Sequence, residues 1–385
     1  MVSLQGKLAS KMPFINDSIF AVVSELALKE KALNLSQGFP DFDVPPKLIE
    51  LVHKYMKEGK NQYAPMAGYP KLKEKISAKI NKLYGAQYNP DNEITITAGA
   101  TQAIYTAITS VIKEGDEVII FEPAYDSYVP SVLLNKGVLK YVKLAPPDYR
   151  INWDEIKKLI SFNTKMIIIN NPHNPTATIL SHEDMKELEK IVANRDIIIL
   201  SDEVYEHMVF DGHLHNSLCR YPKLVERSFV IFSFGKTYHA TGWKMGYVLA
   251  PENLTKEFRK VFQYLMFAAS TPLQYAYCDI LENEKHYLKL GEFIQKKRDF
   301  FVEGIKNSRF KIIPASGSYF QCLSYENISD INDFEFVKTL IKKHKIAAIP
   351  LSVFYHDKTD HQIIRFCIAK SEETLKKAIE ILCRI

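Results

Sequence analysis

Short apolar runs alternate with helical segments through the middle of the chain, and this alternation restricts the fold more than any other feature. Consecutive positions are apolar in EVIIF, KMIIIN and DIIIL, and amphipathic stretches such as SHEDMKELEKIV separate these runs. Strands that are apolar on both faces are typical of parallel sheets covered by helices on both sides. We therefore predict an α/β fold with a mostly parallel central sheet between helices.

The pattern changes near residue 283, where a long charged helical segment begins and shorter strands follow it. These strands read FKIIP, SYFQCLS and IIRFCIA, with further helices between and after them. The length of 385 residues also suits two domains better than a single core. We expect a large domain over residues 45–283 and a smaller α+β domain that combines residues 1–44 with 284–385.

Charge and cysteine usage exclude several classes of protein. The net charge is only +5, and lysines alternate with acids in helical stretches such as KLKEKISAKINK, so we expect no nucleic-acid partner. No apolar run approaches membrane-spanning length, and the first 18 residues lack the apolar core of a signal peptide. The five cysteines are scattered, as in reduced intracellular proteins. We predict a cytoplasmic protein without a membrane partner.

Polar residues follow the apolar strands at four places, which are residues 99–101, 170–174, 202–205 and 233–236. In open α/β sheets, ligands bind beyond the carboxyl ends of the strands. Each place also has a simpler interpretation, since helix caps and ordinary turns use the same residue types. Together they predict a ligand site at this edge of the sheet.

Two of these polar residues have side chains suited to a reactive ligand, Lys236 as a nucleophile and Asp202 as the partner of a cationic ligand atom. Lys236 follows a buried strand, and desolvation beside positive charge makes a lysine an imine-forming nucleophile. Lys244 could supply that charge while it binds an anion, helped by the Ser233 hydroxyl. Asp202 would be partly buried and would need a cation or several hydrogen-bond donors, unless it only caps a helix.

Two further features suit anions. The junction at residues 99–101 joins a strand to a helix, and a helix N-terminus binds phosphate, although an ordinary turn is the alternative. Arg365 interrupts an apolar strand and must meet an anion, either a protein carboxylate or that of a ligand. His213 and His215 have no third candidate ligand nearby, so we expect a surface loop and no metal site. An amine, an acid, a phosphate site and a carboxylate clamp are what pyridoxal 5′-phosphate (PLP) requires together.

The stretch SFGKTYHATGWKMG, residues 233–246, resembles the lysine signature of the fold-type I PLP-dependent aminotransferases, classes I and II. The resemblance covers nearly the whole chain and continues through NLSQGFPDF, NQYAPMAGYPKLKEKI, ITITAGATQAIY, NNPHNPTATI, SDEVYEHMVF and IIRFCIAK. Within this family the chain is most similar to the methionine and the kynurenine/glutamine aminotransferases.

The resemblance implies a role for each matching residue around the PLP ring. Lys236 would hold PLP as an imine and then move the Cα proton of the substrate. Asp202 would keep the pyridine nitrogen protonated. Tyr205 and Asn174 would hydrogen-bond the O3′ atom, and Tyr125 would stack on the ring.

The resemblance also implies a phosphate site, a substrate clamp and a homodimer. The phosphate would be bound by Ala100, Thr101, Ser233 and Lys244, with Tyr63 reaching it from the other subunit. Arg365 would clamp the α-carboxylate of the substrate, helped by Asn174 and the backbone at Gly38. Aromatic residues at Phe20, Phe39, Tyr63 and Tyr125, together with the loop at Phe354, suggest an apolar pocket.

The expected activity is transfer of the amino group of a large apolar or aromatic L-amino acid to a 2-oxo acid. Methionine is the first candidate donor, followed by aromatic amino acids, glutamine and kynurenine. β-Elimination from cysteine conjugates, a C–S lyase activity, is the alternative on the same scaffold. A non-catalytic regulator of this fold is disfavoured, because the chain has no appended DNA-binding segment.

Two positions depart from the family pattern. Ala177 stands where the asparagine motif usually has glycine, which affects the geometry of the turn after Asn174. Gly235 stands where the lysine signature often has serine, which removes one hydroxyl near the phosphate.

Overall fold

The computed structural model describes residues 9–13, 15 and 17–385. The first eight residues, which belong to the segment that we assigned to the smaller domain, lie outside the described residues. The helices of the described part are α1 (Ile19–Lys29), α2 (Pro46–Lys57), α3 (Pro70–Tyr84), α4 (Ala100–Val111), α5 (Tyr128–Leu134), α6 (Trp153–Leu159), α7 (His182–Val192), α8 (Pro222–Val225), α9 (Phe234–Thr237), α10 (Glu252–Leu265), α11 (Thr271–Ile280), α12 (Lys285–Leu288), α13 (Leu290–Ile305), α14 (Asp333–Thr339) and α15 (Glu372–Leu382). The strands are β1 (Leu33–Asn34), β2 (Ile94–Thr97), β3 (Glu117–Glu122), β4 (Val138–Lys143), β5 (Thr164–Asn170), β6 (Ile198–Asp202), β7 (Ser228–Ser233), β8 (Gly246–Leu249), β9 (Lys311–Ile312), β10 (Phe320–Ser324), β11 (Ile346–Ala347), β12 (Ile349–Pro350) and β13 (Ile363–Cys367).

The central sheet has seven strands in the order β2-β8-β7-β6-β5-β3-β4. Strands β4, β3, β5, β6 and β7 pair in parallel, and β8 runs antiparallel to both of its neighbours. Side chains of β5 alternate between two apolar cores, with Ile167 and Ile169 in one and Met166 and Ile168 in the other. Alternate residues of a strand point to opposite faces, so both faces of this sheet are covered. The predicted α/β fold with a mostly parallel sheet between helices is confirmed.

A smaller α+β part follows the central sheet in the chain. Its four-stranded sheet has the order β12-β13-β10-β9 with antiparallel pairing throughout. Strand β1 near the N-terminus pairs with β11 of this part, where Leu33 lies opposite Ile346. The boundaries at residues 44/45 and 283/284 stay a prediction.

Local signals in the sequence mark two of the helix ends. Ser181 begins α7 with a capping box, in which its side chain accepts a hydrogen bond from Asp184 N and the Asp184 side chain accepts one from Ser181 N. Gly85 ends α3 in the left-handed conformation, with a φ of 77°. The prediction of a single long helix after residue 283 is wrong, because the helical conformation is interrupted at Lys289, between α12 and α13.

Three features of the described residues bear on the expected class of protein. No helix among them is long and apolar enough to cross a membrane. The five cysteines are unpaired, and these residues contain no cluster of three or more candidate metal ligands. The expected surface loop at His213 and His215 is half wrong. His213 is exposed, but His215 is buried with its Nε2 atom 2.8 Å from Glu203 Oε2.

Candidate active site

A cavity of about 260 Å³ lies between the central sheet and the smaller sheet. Loops that follow the central strands form one wall, and β10 and β13 contribute Phe320 and Arg365 to the other. Twelve of the thirteen predicted site residues line this cavity. They are Phe20, Gly38, Ala100, Thr101, Tyr125, Asn174, Asp202, Tyr205, Ser233, Lys236, Lys244 and Arg365.

Lys236 projects into the cavity from the short helix α9, which begins where β7 ends. The Ser233 side chain caps this helix by accepting a hydrogen bond from Lys236 N at 3.3 Å. The Lys236 amine donates to the Gly38 carbonyl at 2.7 Å. Burial, with Arg365 and Lys244 nearby, lowers the pKa of Lys236 to about 8. About a tenth of this amine is therefore neutral and nucleophilic at pH 7, far more than for an unperturbed lysine.

Asp202 ends β6 and is buried at the floor of the cavity. Its Oδ2 atom accepts a hydrogen bond from the Tyr128 hydroxyl at 2.7 Å, and Oδ1 accepts one from Val204 N at 3.3 Å. Burial raises the pKa of Asp202 to about 6, although the hydrogen bond from Tyr128 opposes this rise. The carboxylate is thus ionised at neutral pH and suited to a cationic ligand atom.

A cradle for an anion surrounds the start of α4. Gly99 precedes this helix with a φ of 79°, so the left-handed region is occupied by a residue without a side chain. The N-terminal amides of a twelve-residue helix point toward this end. Lys244 lies directly beside it, since a Cβ atom at Gly99 would come 3.5 Å from Lys244 Cε. Exposed amides and a lysine together suit a phosphate group.

Arg365 is buried in the middle of β13, with only 1% of its surface exposed. Its Nη1 atom donates to Asn174 Oδ1 at 2.5 Å, and Nη2 donates to the Ser36 carbonyl at 3.3 Å. The Nε atom has no hydrogen-bond partner in the part of the chain that the structure describes. The guanidinium carbon lies 3.9 Å from the ring centroid of Phe320. No protein carboxylate pairs with Arg365 within 4 Å among the described residues, so a ligand anion is the better match for its charge.

Aromatic residues complete the cavity. The Tyr125 hydroxyl lies 3.4 Å from Thr101 Oγ1, beside the anion cradle. Tyr205 is buried, and the Lys236 amine lies 5.3 Å from its ring centroid. Phe20 lies near the carboxylate clamp, 5.5 Å from the guanidinium carbon of Arg365. These rings give one part of the cavity an apolar surface.

Phe354, which was expected in the apolar pocket, does not line the cavity, and neither does Tyr63. Tyr63 is 82% exposed, and its ring packs edge-to-face on Phe267 at 5.0 Å. The prediction placed it in the site of a second subunit, and that assignment stays a prediction.

The two departures from the expected pattern have structural counterparts. Ala177 adopts a φ of 63°, so alanine takes the left-handed conformation that glycine usually supplies. A Cβ atom at Gly235 would lie 3.1 Å from the Ala240 carbonyl oxygen and from Thr241 Cα. A serine at position 235 would therefore require the backbone at 240–241 to shift.

Three polar residues to which no individual role was assigned also support the site. The first is Tyr128, whose hydroxyl donates to Asp202. The second is Asn170, which connects two predicted residues, since its Nδ2 donates to the Asp202 carbonyl at 2.8 Å and its Oδ1 accepts from Asn174 N at 2.6 Å. The Tyr319 hydroxyl donates to the Lys236 carbonyl at 2.6 Å. Asn170 stood within the quoted motif NNPHNPTATI, but Tyr128 and Tyr319 had no local signal.

Comparison with known proteins identifies the family of this chain and agrees with the fold described above. The family model described as "Aminotransferase class I and II" matches residues 30–382. The chain is 47% identical to the methionine aminotransferase of Escherichia coli over 97% of each chain. It is 33% identical to kynurenine–oxoglutarate transaminase 1 of Homo sapiens over 93% of each. A solved structure from Escherichia coli, described as having a methionine aminotransferase function, superposes with a TM-score of 0.96 and 46% identity, covering 98% of this chain and 99% of that one.

Proposed function

This chain belongs to the class I and II aminotransferase family, and on that premise we propose that it uses PLP to transfer the amino group of a large apolar L-amino acid, methionine first, to a 2-oxo acid. The observation that carries the proposal is that Lys236, Asp202 and Arg365 line one cavity. The amine, the acid and the carboxylate clamp are the groups that such a transfer requires.

The residues of the cavity fit PLP at three points. The cradle formed by the α4 N-terminus and Lys244 would bind the phosphate, with Ser233, Ala100 and Thr101 beside it. Asp202 would hold the ring nitrogen, and Tyr205 and Asn174 would lie beside the ring oxygen. When bound, PLP supplies an electron-withdrawing ring that carries the amino group between the two substrates.

The residues of the chain would divide the work of the reaction. Lys236 would hold the cofactor covalently and, once released, accept the proton from the Cα atom of the amino acid, for which its lowered pKa is suited. Asp202 would stay ionised above its pKa of about 6 and so retain a proton on the ring nitrogen. Arg365 would orient the amino acid through its α-carboxylate, with the unpartnered Nε as a further donor.

Tyr128→Phe is expected to weaken PLP binding about tenfold at pH 7, because Asp202 loses a hydrogen bond that favours its charged form. Losing this bond raises the pKa of Asp202 above its present value of about 6. The defect should therefore grow as the pH falls from 8 to 6. Titration of the cofactor-free protein with PLP at pH 6, 7 and 8 measures it.

Tyr55→Phe is the matched control for this variant. The Tyr55 hydroxyl also donates to an aspartate, Asp279 Oδ2 at 2.5 Å, but neither residue lines the cavity. We expect Tyr55→Phe to leave the PLP affinity unchanged at all three pH values. An equal loss of affinity in both variants would refute a specific action of Tyr128 on Asp202.

The preference for an apolar donor has two supports. The methionine aminotransferase of Escherichia coli is similar over nearly the whole chain. The cations among the described residues of the cavity wall are Lys236, Lys244 and Arg365, and each already has a role in the proposal. None of these described residues remains to pair with a carboxylate on the substrate side chain, so neutral donors fit better than aspartate or glutamate.

A homodimer with shared sites is part of the proposal. Tyr63 and the segment Tyr264, Leu265, Met266 and Phe267 expose apolar side chains next to one another, which is typical of a protein interface. A second subunit bound there could bring its Tyr63 to the phosphate cradle. A sedimentation mass equal to one chain of 44.2 kDa would contradict the dimer.

A cytoplasmic location is proposed as well, supported by four buried, unpaired cysteines.

The donor preference is tested with the PLP-loaded protein and a panel of amino donors, each with several 2-oxo acids. We expect methionine to exceed aspartate in kcat/KM by about 100-fold, since a side-chain carboxylate would lie unpaired in the cavity. Pyruvate release from a cysteine conjugate, measured in parallel, reports β-elimination. The relatives named above are all aminotransferases, and faster pyruvate release than amino transfer would overturn the proposal.

A further inference from the structure

The segment between β12 and β13 carries Phe354, which packs behind one wall of the cavity. Its ring centroid lies 6.1 Å from that of Phe20 and 5.1 Å from the guanidinium carbon of Arg365. Phe20 and Arg365 both line the cavity. The position of Phe354 therefore affects the surface that an apolar substrate side chain would contact and the cation that would hold its carboxylate.

Glu122, at the end of β3, holds this segment from the central sheet. Its Oε1 atom accepts a hydrogen bond from His356 N at 2.6 Å, and its Oε2 atom lies 2.7 Å from His356 Nδ1. The imidazole also stacks on Tyr141 of β4, with ring centroids 4.0 Å apart and planes 3° from parallel. One carboxylate and one ring thus fix the chain two residues beyond Phe354.

The end of β3 also leads into the cavity. Ala124, two residues after Glu122, donates its N–H to the Phe354 carbonyl at 2.9 Å. The next residue, Tyr125, lines the cavity beside the anion cradle. Glu122 therefore connects the segment that carries Phe354 with the segment that carries Tyr125.

The carboxylate of this pair is buried, whereas the imidazole is partly exposed. The side chain of Glu122 is 2% exposed and that of His356 is 39% exposed. Burial raises the pKa of Glu122, and the hydrogen bonds from His356 oppose this rise. An exposed ion pair contributes little, but a buried carboxylate that loses its donor is costly.

Other charged and titratable groups surround the pair. Asp357 follows His356 and forms an ion pair with Lys143 of β4. Tyr141 lies against the imidazole, and Tyr355 packs on the inner side, where its hydroxyl donates to the Leu144 carbonyl at 2.9 Å. Neither tyrosine offers a cation, and Lys143 is already paired, so the side-chain hydrogen bond to Glu122 comes from His356.

We propose that Glu122 and His356 are positioning residues that hold Phe354 against Phe20 and Arg365, and so set how tightly the protein binds a carboxylate ligand with a large apolar side chain. This inference rests on the proposed function, since it concerns the binding of that substrate class. A purely structural role of Glu122 and His356 would instead change the stability of the protein but not its affinity for such a ligand.

Two substitutions at His356 separate the hydrogen bond from the packing. His356→Phe keeps a ring that can stack on Tyr141 and the backbone N–H that donates to Glu122 Oε1, but it removes the side-chain donor to Glu122 Oε2. His356→Asn loses the ring, but its amide can donate to Glu122 in place of Nδ1. His213→Phe is the matched control, because His213 is exposed and does not line the cavity.

Binding is measured by calorimetry on the PLP-loaded protein with 3-phenylpropanoate, a carboxylate that lacks an amine and cannot react. We expect His356→Phe to weaken its binding about tenfold, the scale of a modest misfit in an apolar pocket. His356→Asn should stay within about twofold of the wild type, and His213→Phe should match it. In steady-state assays the same loss should appear in the KM for methionine, with kcat little changed.

Equal affinity in the wild type and in His356→Phe would overturn the proposal, as would an equal loss in the Phe and Asn variants. A lowered melting temperature of His356→Phe with unchanged affinity would assign the pair to stability alone. Failure of the wild type to bind 3-phenylpropanoate would also overturn it. If the wild type binds this ligand but does not transfer the amino group of methionine, the proposed function fails while the positioning result remains valid.

Discussion

Lys236→Ala should slow amino transfer from methionine by about 10²–10⁴-fold, because the variant lacks the only amine that we expect to move the Cα proton. The Lys236 side chain enters the cavity from α9, and burial lowers its pKa to about 8, which suits an acceptor of protons near neutral pH. The phosphate cradle and Asp202 are unchanged by the substitution. PLP should therefore still bind, but without a covalent link to the chain.

The measurement combines single-turnover kinetics with mass spectrometry after borohydride reduction. Reduction should fix the cofactor to the wild-type chain and not to Lys236→Ala. Lys82→Ala is the control, since Lys82 is an exposed lysine that pairs with Glu284 away from the cavity. Amino transfer at the wild-type rate in Lys236→Ala would remove Lys236 from the mechanism.

Arg365→Ala should raise the KM for both the amino acid and the oxo acid by about 100-fold, because both substrates carry the α-carboxylate that Arg365 would bind. Hydrogen bonds to charged groups contribute about 1.5–3 kcal/mol each, and 100-fold corresponds to about 2.7 kcal/mol. The affinity for PLP should change little, since Arg365 lies on β13 and the phosphate cradle at the start of α4. Steady-state kinetics with both substrates varied gives the two KM values.

Two further variants test whether the rise in KM is specific to the Arg365 guanidinium. Arg365→Lys keeps the charge but not the planar fork of donors, so an intermediate KM is expected. Arg298→Ala is the matched control, because Arg298 is also largely buried but pairs with Asp211 outside the cavity. An unchanged KM in Arg365→Ala would show that another group binds the carboxylate.

Much of the candidate site could be predicted because polar residues next to apolar strands are conspicuous. Asp202 and Lys236 follow β6 and β7, and Arg365 interrupts β13. Their geometry could not be predicted, because it depends on contacts between distant parts of the chain. The Tyr128 hydroxyl reaches an aspartate 74 residues away, and the Tyr319 hydroxyl reaches a carbonyl 83 residues away.

The fold was predictable to a similar extent. Strands β3, β5 and β7 of the central sheet are apolar at consecutive positions, so their order of appearance and their burial on both faces could be read from the sequence. The two-residue strands β1, β11 and β12 are too short to produce a periodic signal. Helix α5 was missed for a similar reason, since it has only seven residues and contains Pro130.

The site is divided between two sheets, and this division has an evolutionary consequence. The residues proposed to hold the cofactor follow strands of the central sheet, whereas Phe20, Phe354 and Arg365 lie outside it. Substitutions in α1 or in the segment after β12 could reshape the substrate side of the cavity without altering the cofactor side. Relatives that share this architecture could thereby diverge in the amino acid they accept while inheriting the same chemistry.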